Sequence, residues 1–73
     1  MRSLTFRDVI SVLEDSGFSR IRVKGSHGHY EATIGGRRML VTVQQNHPND
    51  TVAKGTLSAI IRQSGLGKAA FLK

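Results

Sequence analysis

Apolar and polar residues follow two different periods along the chain, and the first of them predicts a helix. Residues 5 to 16 carry apolar positions spaced three and four apart, which is typical of a helix with one buried stripe. Thr5 and Asp8 suit a capping box at its start, and Gly17 suits the positive φ of a helix end. The stripe consists of Phe6, Val9, Ile10 and Leu13.

A period of two follows, and it predicts three strands. The alternating segments are residues 18 to 24, 27 to 34 and 37 to 43, and each reads as a strand with one buried face. The Gly35-Gly36 pair predicts a tight hairpin between the second and third strands. In the third strand this phase leaves Leu40 on the outer face. The predicted inward side chains are Ile21, Val23, Tyr30, Ala32, Ile34, Met39, Val41 and Val43.

A polar loop over residues 44 to 52 separates the strands from a second predicted helix, residues 56 to 64, which ends at Gly65. The order α-β-β-β-α predicts an α+β fold. We expect a three-stranded antiparallel sheet with both helices on one face and the other face open. The remaining predicted core residues are Leu57, Ile60, Ile61, Leu66, Phe71 and Leu72.

Length and composition limit the possible classes of protein. The 73 residues suit one small domain, residues 1–73, since a chain this short supports a single small core. The absence of cysteine excludes disulfides and thiolate chemistry. No apolar run approaches the roughly 20 residues of a membrane helix, and residues 1–4 do not resemble a signal peptide. We therefore expect a cytoplasmic protein without a membrane partner.

Positive charge dominates the chain and is concentrated on one predicted surface. Eleven Lys and Arg against five Asp and Glu give a net charge of +6, which predicts a polyanionic partner, either nucleic acid or an acidic protein. Alternation places Arg20, Arg22 and Lys24 together on the outer face of the first strand. Like charges about 6.8 Å apart repel one another, so this row favours a bound anion.

The segment from Lys24 to Tyr30 adds candidate chemistry to the same surface. Gly25 and Ser26 predict a turn, and alternation then places His27 and His29 on the outer face with the cations. Free imidazole has a pKa of about 6.5, so it exchanges protons near neutral pH. Our hypothesis is that the open face binds RNA and that His27 acts in breaking it.

Other readings of these residues stay open. His29 is either an RNA contact or a second proton carrier, and the same holds for His47. A zinc site formed by the three histidines is possible by ligand type, but their spacing is not typical of one. Tyr30 is expected in the core rather than as a base-stacking platform, and Ser26 as a turn residue rather than a nucleophile.

Phosphate contact is also expected at Lys54, near the start of the second helix, where free N–H groups favour anions. Metal ions are not expected to be needed, because the five carboxylates are scattered and cannot easily converge on two ions. Glu31 is the one acid predicted on the open face. No cofactor is expected.

An ordered set of short motifs resembles the HicA family of toxins from HicAB toxin–antitoxin systems, and the resemblance covers nearly the whole chain. The chain departs from the family pattern at Gly28 and in the loop over residues 47–50. The motifs are Leu13 with Gly17-Phe18, Gly25-Ser26-His27 with Tyr30, Gly36-Arg37, Lys54-Gly55-Thr56-Leu57 and Gly65-Leu66.

This resemblance implies a fold like that of double-stranded-RNA-binding domains, and cleavage of mRNA with His27 as the essential residue. It also implies a HicB-like antitoxin, which should be acidic where it meets Arg20, Arg22 and Lys24 and should cover His27. We therefore predict a metal-independent endoribonuclease toxin in which His27 is a general acid or base. The alternatives are a non-catalytic RNA-binding domain and an inactive toxin homologue that only binds its antitoxin.

Overall fold

The computed structural model describes residues 3–44 and 47–71, and it confirms the predicted α-β-β-β-α order. A three-stranded antiparallel sheet carries both helices on one face, an α+β arrangement like that of double-stranded-RNA-binding domains. No helix in these two ranges is long and apolar enough to cross a membrane. The elements are α1 (Phe6–Asp15), β1 (Ser19–Lys24), β2 (His27–Ile34), β3 (Arg37–Gln44), α2 (Lys54–Ser64) and a 3₁₀ helix (Lys68–Phe71).

Both ends of α1 are formed as the sequence predicts. The Thr5 hydroxyl accepts a hydrogen bond from the Asp8 backbone N–H at 3.2 Å, and the Asp8 carboxylate accepts one from the Thr5 N–H at 3.0 Å. This reciprocal pair is a capping box. At the other end Gly17 has φ of 98°, and the Phe18 N–H donates to the Leu13 carbonyl at 2.9 Å. That six-residue closure is a Schellman motif, which turns the chain sharply into β1.

The sheet has the order β1-β2-β3, so β2 is central and both neighbours pair with it antiparallel. Gly35 and Gly36 have φ of 58° and 80°, the two positive values that a type I′ hairpin requires. The predicted Gly-Gly hairpin is therefore confirmed. Because it fixes the register of β2 against β3, it also fixes which side chains reach the open face.

The core lies between the helices and the inner face of the sheet. Four of its members, Leu4, Val12, Phe18 and Val52, were not predicted from the pattern. Leu72, which was predicted, lies outside the described residues. The buried apolar side chains are Leu4, Phe6, Val9, Val12, Leu13, Phe18, Tyr30, Ala32, Val41, Val43, Val52, Ile60 and Phe71.

Strand β1 departs from the prediction. Ile21 and Val23, expected in the core, are each 48% exposed. The register shifts between Arg20 and Arg22, so Ile21 is an extra residue in the ladder, a β-bulge. A bulge changes the phase of the alternation, and β1 is also an edge strand with few neighbours. Arg22 and Lys24 still share one face of the sheet, but Arg20 does not, so the predicted single row of three cations is wrong.

The loop after β3 closes the amino-terminal end of α1. The first N–H groups of a helix have no partner within the helix. Here the Phe6 N–H donates to the Asp50 carbonyl and the Arg7 N–H to the Pro48 carbonyl, both at 3.0 Å. The loop thus supplies two hydrogen-bond acceptors to α1 and is part of the helix layer rather than of the open face.

Candidate nucleic-acid interface

The turn between β1 and β2 determines where His27 stands. Lys24 and His27 are paired, so Gly25 and Ser26 are the two central residues of the turn. Gly25 has φ of 59°, and no residue other than glycine has a positive φ in the described ranges. One positive φ at the first central position is the sign pattern of a type II′ turn. A side chain at position 25 would be strained, since this conformation favours glycine.

His27 is the first residue of the central strand, and its side chain is exposed on the open face. The ladder places Lys24 beside it on β1 and Gln44 beside it on β3. Adjacent strands lie about 4.8 Å apart. A lysine is therefore the cross-strand neighbour of this imidazole on β1.

His29 occupies the next position on the same face and is half-buried. Its neighbours are Arg22 on β1 and Thr42 on β3. The Nδ1 atom of His29 lies 3.3 Å from the Thr42 hydroxyl oxygen. This contact uses Nδ1 and leaves the other ring nitrogen, Nε2, available for a second partner.

Together these two rows form a patch that we call the histidine patch, made of Arg22, Lys24, His27 and His29. Residues two apart on a strand are about 6.8 Å apart, so two imidazoles and two cations share a small area. Imidazoles can transfer protons, and the cations can hold a phosphate between them. Proton transfer at a phosphodiester is the chemistry that such a patch can support.

A salt bridge bounds the patch towards the second hairpin. The Arg38 guanidinium donates to the Glu31 carboxylate at 2.6 Å. This pair leaves little net charge beyond His29. Leu40, which faces Glu31 across the ladder, is 52% exposed, as the strand phase predicted. The positive part of the open face is thus confined to the end that carries the β1–β2 turn.

Arg20 lies on the other side of the sheet from the histidine patch. It pairs with Tyr30, whose side chain is buried under the helices. With Glu14, Phe6 and other residues it lines a cavity of about 470 Å³ beside α1. Burial raises the pKa of the Tyr30 phenol; nearby Arg20 lowers that pKa and nearby Glu14 raises it. The bulge at Ile21 therefore removes Arg20 from the expected RNA-facing row.

Two other candidate residues lie in the helix layer. Lys54 is the first residue of α2 and lines two surface hollows with Leu57. The Nδ1 atom of His47 accepts a hydrogen bond from the Asn49 N–H at 3.1 Å, which closes a local turn. Lys54 and His47 therefore lie outside the paired strands that bring His27 and His29 together.

The sequence analysis missed Thr42 and Gln63. The Gln63 side-chain oxygen accepts a hydrogen bond from the Thr42 backbone N–H at 3.1 Å. This contact covers part of the β3 edge and joins α2 to the residue that holds His29. Only the strand register and the position of α2 bring these groups together, and no local sequence signal marks either.

The metal-binding side chains of the described residues do not cluster into a metal centre. Across residues 3–44 and 47–71, no three His, Asp or Glu side chains are grouped so that they could hold an ion. Among those residues, Asp8 and Glu14 lie on α1, and Glu31 is paired with Arg38. The three-histidine zinc site that the sequence left open is therefore not formed by His27, His29 and His47.

The fold and the patch together define a class: a small basic α+β domain with one sheet face covered by helices and two histidines among cations on the other. Residues 6–66 match the family model described as HicA toxin of bacterial toxin-antitoxin. The chain belongs to this family and is thus a toxin of a toxin–antitoxin system, with an antitoxin as its partner. A search of curated proteins and a search of solved structures found no match.

Proposed function

We propose that this toxin is a metal-independent endoribonuclease that cleaves mRNA, with His27 as general base or general acid. The observation that carries the proposal is the position of His27. It is exposed at the start of the central strand, with Lys24 beside it and the Arg22–His29 row next along the sheet. A proton carrier among cations on an open surface suits a long polyanionic substrate.

The reaction uses the substrate's own nucleophile. His27, acting as base, takes the proton of a ribose 2′-OH, and the oxygen attacks the adjacent phosphorus. The bond from phosphorus to the 5′-oxygen of the next nucleotide breaks, and that oxygen takes up a proton. The products are a 2′,3′-cyclic phosphate and a free 5′-hydroxyl. A general base of this kind contributes roughly 10²–10⁴-fold to the rate.

The cations of the patch serve the charged transition state. Negative charge grows on the non-bridging phosphate oxygens as the fifth bond forms, and Lys24 and Arg22 stand where they can offset it. Gly25 has no side chain, so RNA can approach the backbone of the turn closely. Ser26 and His29 extend the contact with the RNA backbone, and Lys54 offers a further cation from the helix layer.

His29 is the candidate for a second role, because its ring is held by Thr42. Its contact with Thr42 orients the ring, and it stands on the same face as His27. A reaction that begins with proton removal also needs a proton donor for the leaving oxygen. His29 supplies either that proton or a hydrogen bond to phosphate, and the two roles differ in their pH dependence.

Metal independence is part of the proposal, and the placement of the carboxylates supports it. Two-metal cleavage requires acidic side chains that converge on ions about 4 Å apart. Among the described residues of the open face, Glu31 is the one carboxylate, and the Arg38 guanidinium already holds it. Proton transfer by imidazole needs no such ligands.

The antitoxin is expected to use the same patch. A positive surface around an exposed histidine invites an acidic partner surface, which would cover His27 and exclude RNA. Because Arg20 lies on the helix side, the acidic contact should meet Arg22 and Lys24 rather than all three residues.

The decisive experiment expresses the toxin alone in a bacterial host, beside His27→Ala and the matched control His47→Ala. We expect growth arrest and RNA fragmentation with the wild type and with His47→Ala, and neither with His27→Ala. Circular dichroism of the purified variants checks that all three are folded. A folded His27→Ala protein that still cleaves RNA would contradict the role of His27 as general base or general acid.

The same experiment, with RNA binding by the purified proteins measured in addition, distinguishes the two alternative functions. A protein that arrests growth and binds RNA without fragmenting it, in a manner unaffected by His27→Ala, is a non-catalytic RNA-binding domain. A wild-type chain that has no effect on growth and does not bind RNA is an inactive homologue.

A further inference from the structure

The outer flank of α2 carries an apolar groove with a positively charged rim. One hollow of about 250 Å³ is lined by Leu57 and Ile61 together with cationic and polar side chains. A second, of about 360 Å³, extends from it past Val52. Lys54 and Leu57 line both hollows, so the two hollows adjoin along one surface of α2. We call it the α2 groove; its rim cations are Lys54, Arg62 and Lys68.

Helical spacing shows that this surface is distinct from the histidine patch. The groove residues of α2 lie at positions 54, 57, 58, 61 and 62, which follow one flank of a helix. Gln63, which reaches the β3 edge, lies nine residues after Lys54, about two and a half turns away and thus on the opposite flank. The groove therefore points away from the sheet edge that leads to His29.

Charge indicates what the groove accepts. Among the described residues that line the two hollows, none is acidic. The ion pair between Glu31 and Arg38 involves none of the three rim cations. Leu57 and Ile61 are half-buried and offer apolar surface between these charges. The complementary occupant carries apolar side chains on one side and carboxylates along its edges.

We propose that the α2 groove binds an acidic amphipathic helix of the antitoxin. The groove follows α2, which has 11 residues and is therefore about 16 Å long, matching about three turns of a bound helix. RNA fits less well, because its backbone gains nothing from the apolar floor. A second copy of the toxin fits less well too, because it would bring its own +6 charge.

This second contact rests on the toxin–antitoxin relationship and not on RNA cleavage. It separates two jobs of the antitoxin. Contact with the histidine patch would block the substrate, whereas contact with the α2 groove would hold the two proteins together without covering His27. The antitoxin could then remain attached while the open face is free.

A synthetic peptide tests the groove. The probe is a fluorescein-labelled helical peptide of about eleven residues, with Leu along one face and Glu along the other; a peptide with Lys in place of Glu is its control. Binding is measured by anisotropy for wild-type toxin, for Lys54→Glu/Arg62→Glu, and for Arg7→Glu/Arg37→Glu, which changes net charge equally. We expect the first variant to lose about tenfold in affinity and the second to lose little.

Three further measurements make the outcome decisive. On addition of the peptide, amide chemical shifts should move around Leu57 and Ile61 rather than around His27. If the charge reversal impairs folding, the milder Lys54→Gln/Arg62→Gln is measured in its place, and it should also weaken binding. His27→Ala should bind the peptide normally, whatever its effect on RNA. The proposal is overturned if both charge reversals weaken binding equally, if the shifts map to the histidine patch, or if the groove variant loses RNA affinity but not peptide affinity.

Discussion

Thr42 holds His29 from the neighbouring strand, with its hydroxyl oxygen 3.3 Å from the Nδ1 atom of the imidazole. The backbone N–H of the same threonine donates to Gln63 of α2. One residue of β3 therefore contacts both the helix layer and the histidine patch. An exposed imidazole is ordinarily free to rotate, but here a cross-strand hydroxyl limits the ring.

Variants of Thr42 and His29 should show whether His29 is a proton carrier or an RNA contact. Thr42→Val keeps the branched shape and removes the hydroxyl, so we expect RNA affinity to fall about threefold, the magnitude of one modest hydrogen bond. Thr33→Val, a nearby exposed position on β2, serves as the control and should change nothing. RNA affinity and the pH–rate profile are measured for both variants and for His29→Ala. A change in the profile of His29→Ala identifies a proton carrier, whereas a loss confined to affinity identifies an RNA contact.

The bulge in β1 leads to a prediction about salt dependence. Each cation that neutralises a phosphate of single-stranded RNA contributes about 0.7 to the slope of log K against log salt. Arg22→Ala/Lys24→Ala should therefore flatten the slope by about 1.4. Arg20→Ala, on the helix side of the sheet, should leave it nearly unchanged. The slopes are obtained by titrating a labelled RNA oligonucleotide at several salt concentrations. An equal effect of Arg20→Ala would show that RNA also reaches the helix side.

Cleavage by the 2′-OH route should survive removal of metal ions. We expect purified toxin to cleave RNA in excess chelator, to leave 2′,3′-cyclic phosphate ends, and to spare DNA and RNA with blocked 2′-hydroxyls. Activity should fall at acidic pH, because a protonated imidazole cannot accept the 2′-OH proton. End-group analysis of the fragments gives the result, with His27→Ala as the control for contaminating nucleases. Products that end in 3′-OH, or activity restored only by magnesium, would contradict the mechanism.

The buried phenol predicts how stability depends on alkaline pH. Burial raises the pKa of Tyr30 above its usual value of 10.0, so the folded state keeps the phenol proton at a pH where the unfolded state has lost it. Stability should therefore be complete below pH 10, and the contribution of Tyr30 should disappear as pH rises from there through the folded pKa. Tyr30 is the one tyrosine in the chain, so tyrosinate absorbance reports it directly. Tyr30→Phe should unfold less steeply with rising pH; equal steepness would show that the phenol does not matter.

Local signals in the sequence were sufficient for most of the fold. The Thr5–Asp8 box, the Gly17 helix end and the Gly35-Gly36 hairpin each depend on residues close together in sequence, and each is present. The hairpin in turn sets the register of β2 and β3. The outward position of His27 follows from that register, so it could be predicted as well.

The failures have a different physical origin. The bulge at Ile21 adds one residue to β1, and nothing in a clean alternation of charged and apolar residues marks where such an insertion occurs. The neighbours of His29 likewise depend on contacts between residues far apart in sequence, as Gln63 with Thr42 shows. Arg20 was misplaced for the first reason, and the support of His29 was missed for the second.

The loop that caps α1 also affects how the toxin forms during translation. A ribosome makes the chain from its amino terminus, so the Phe6 N–H of α1 meets its acceptor, the Asp50 carbonyl, only after residue 50 has been made. Phe71, buried at 1% exposure in the core beside α1, arrives later still. A message that is broken before the codon for Asp50 therefore yields a fragment in which α1 lacks this cap, and one broken before the codon for Phe71 yields a fragment that lacks this part of the core.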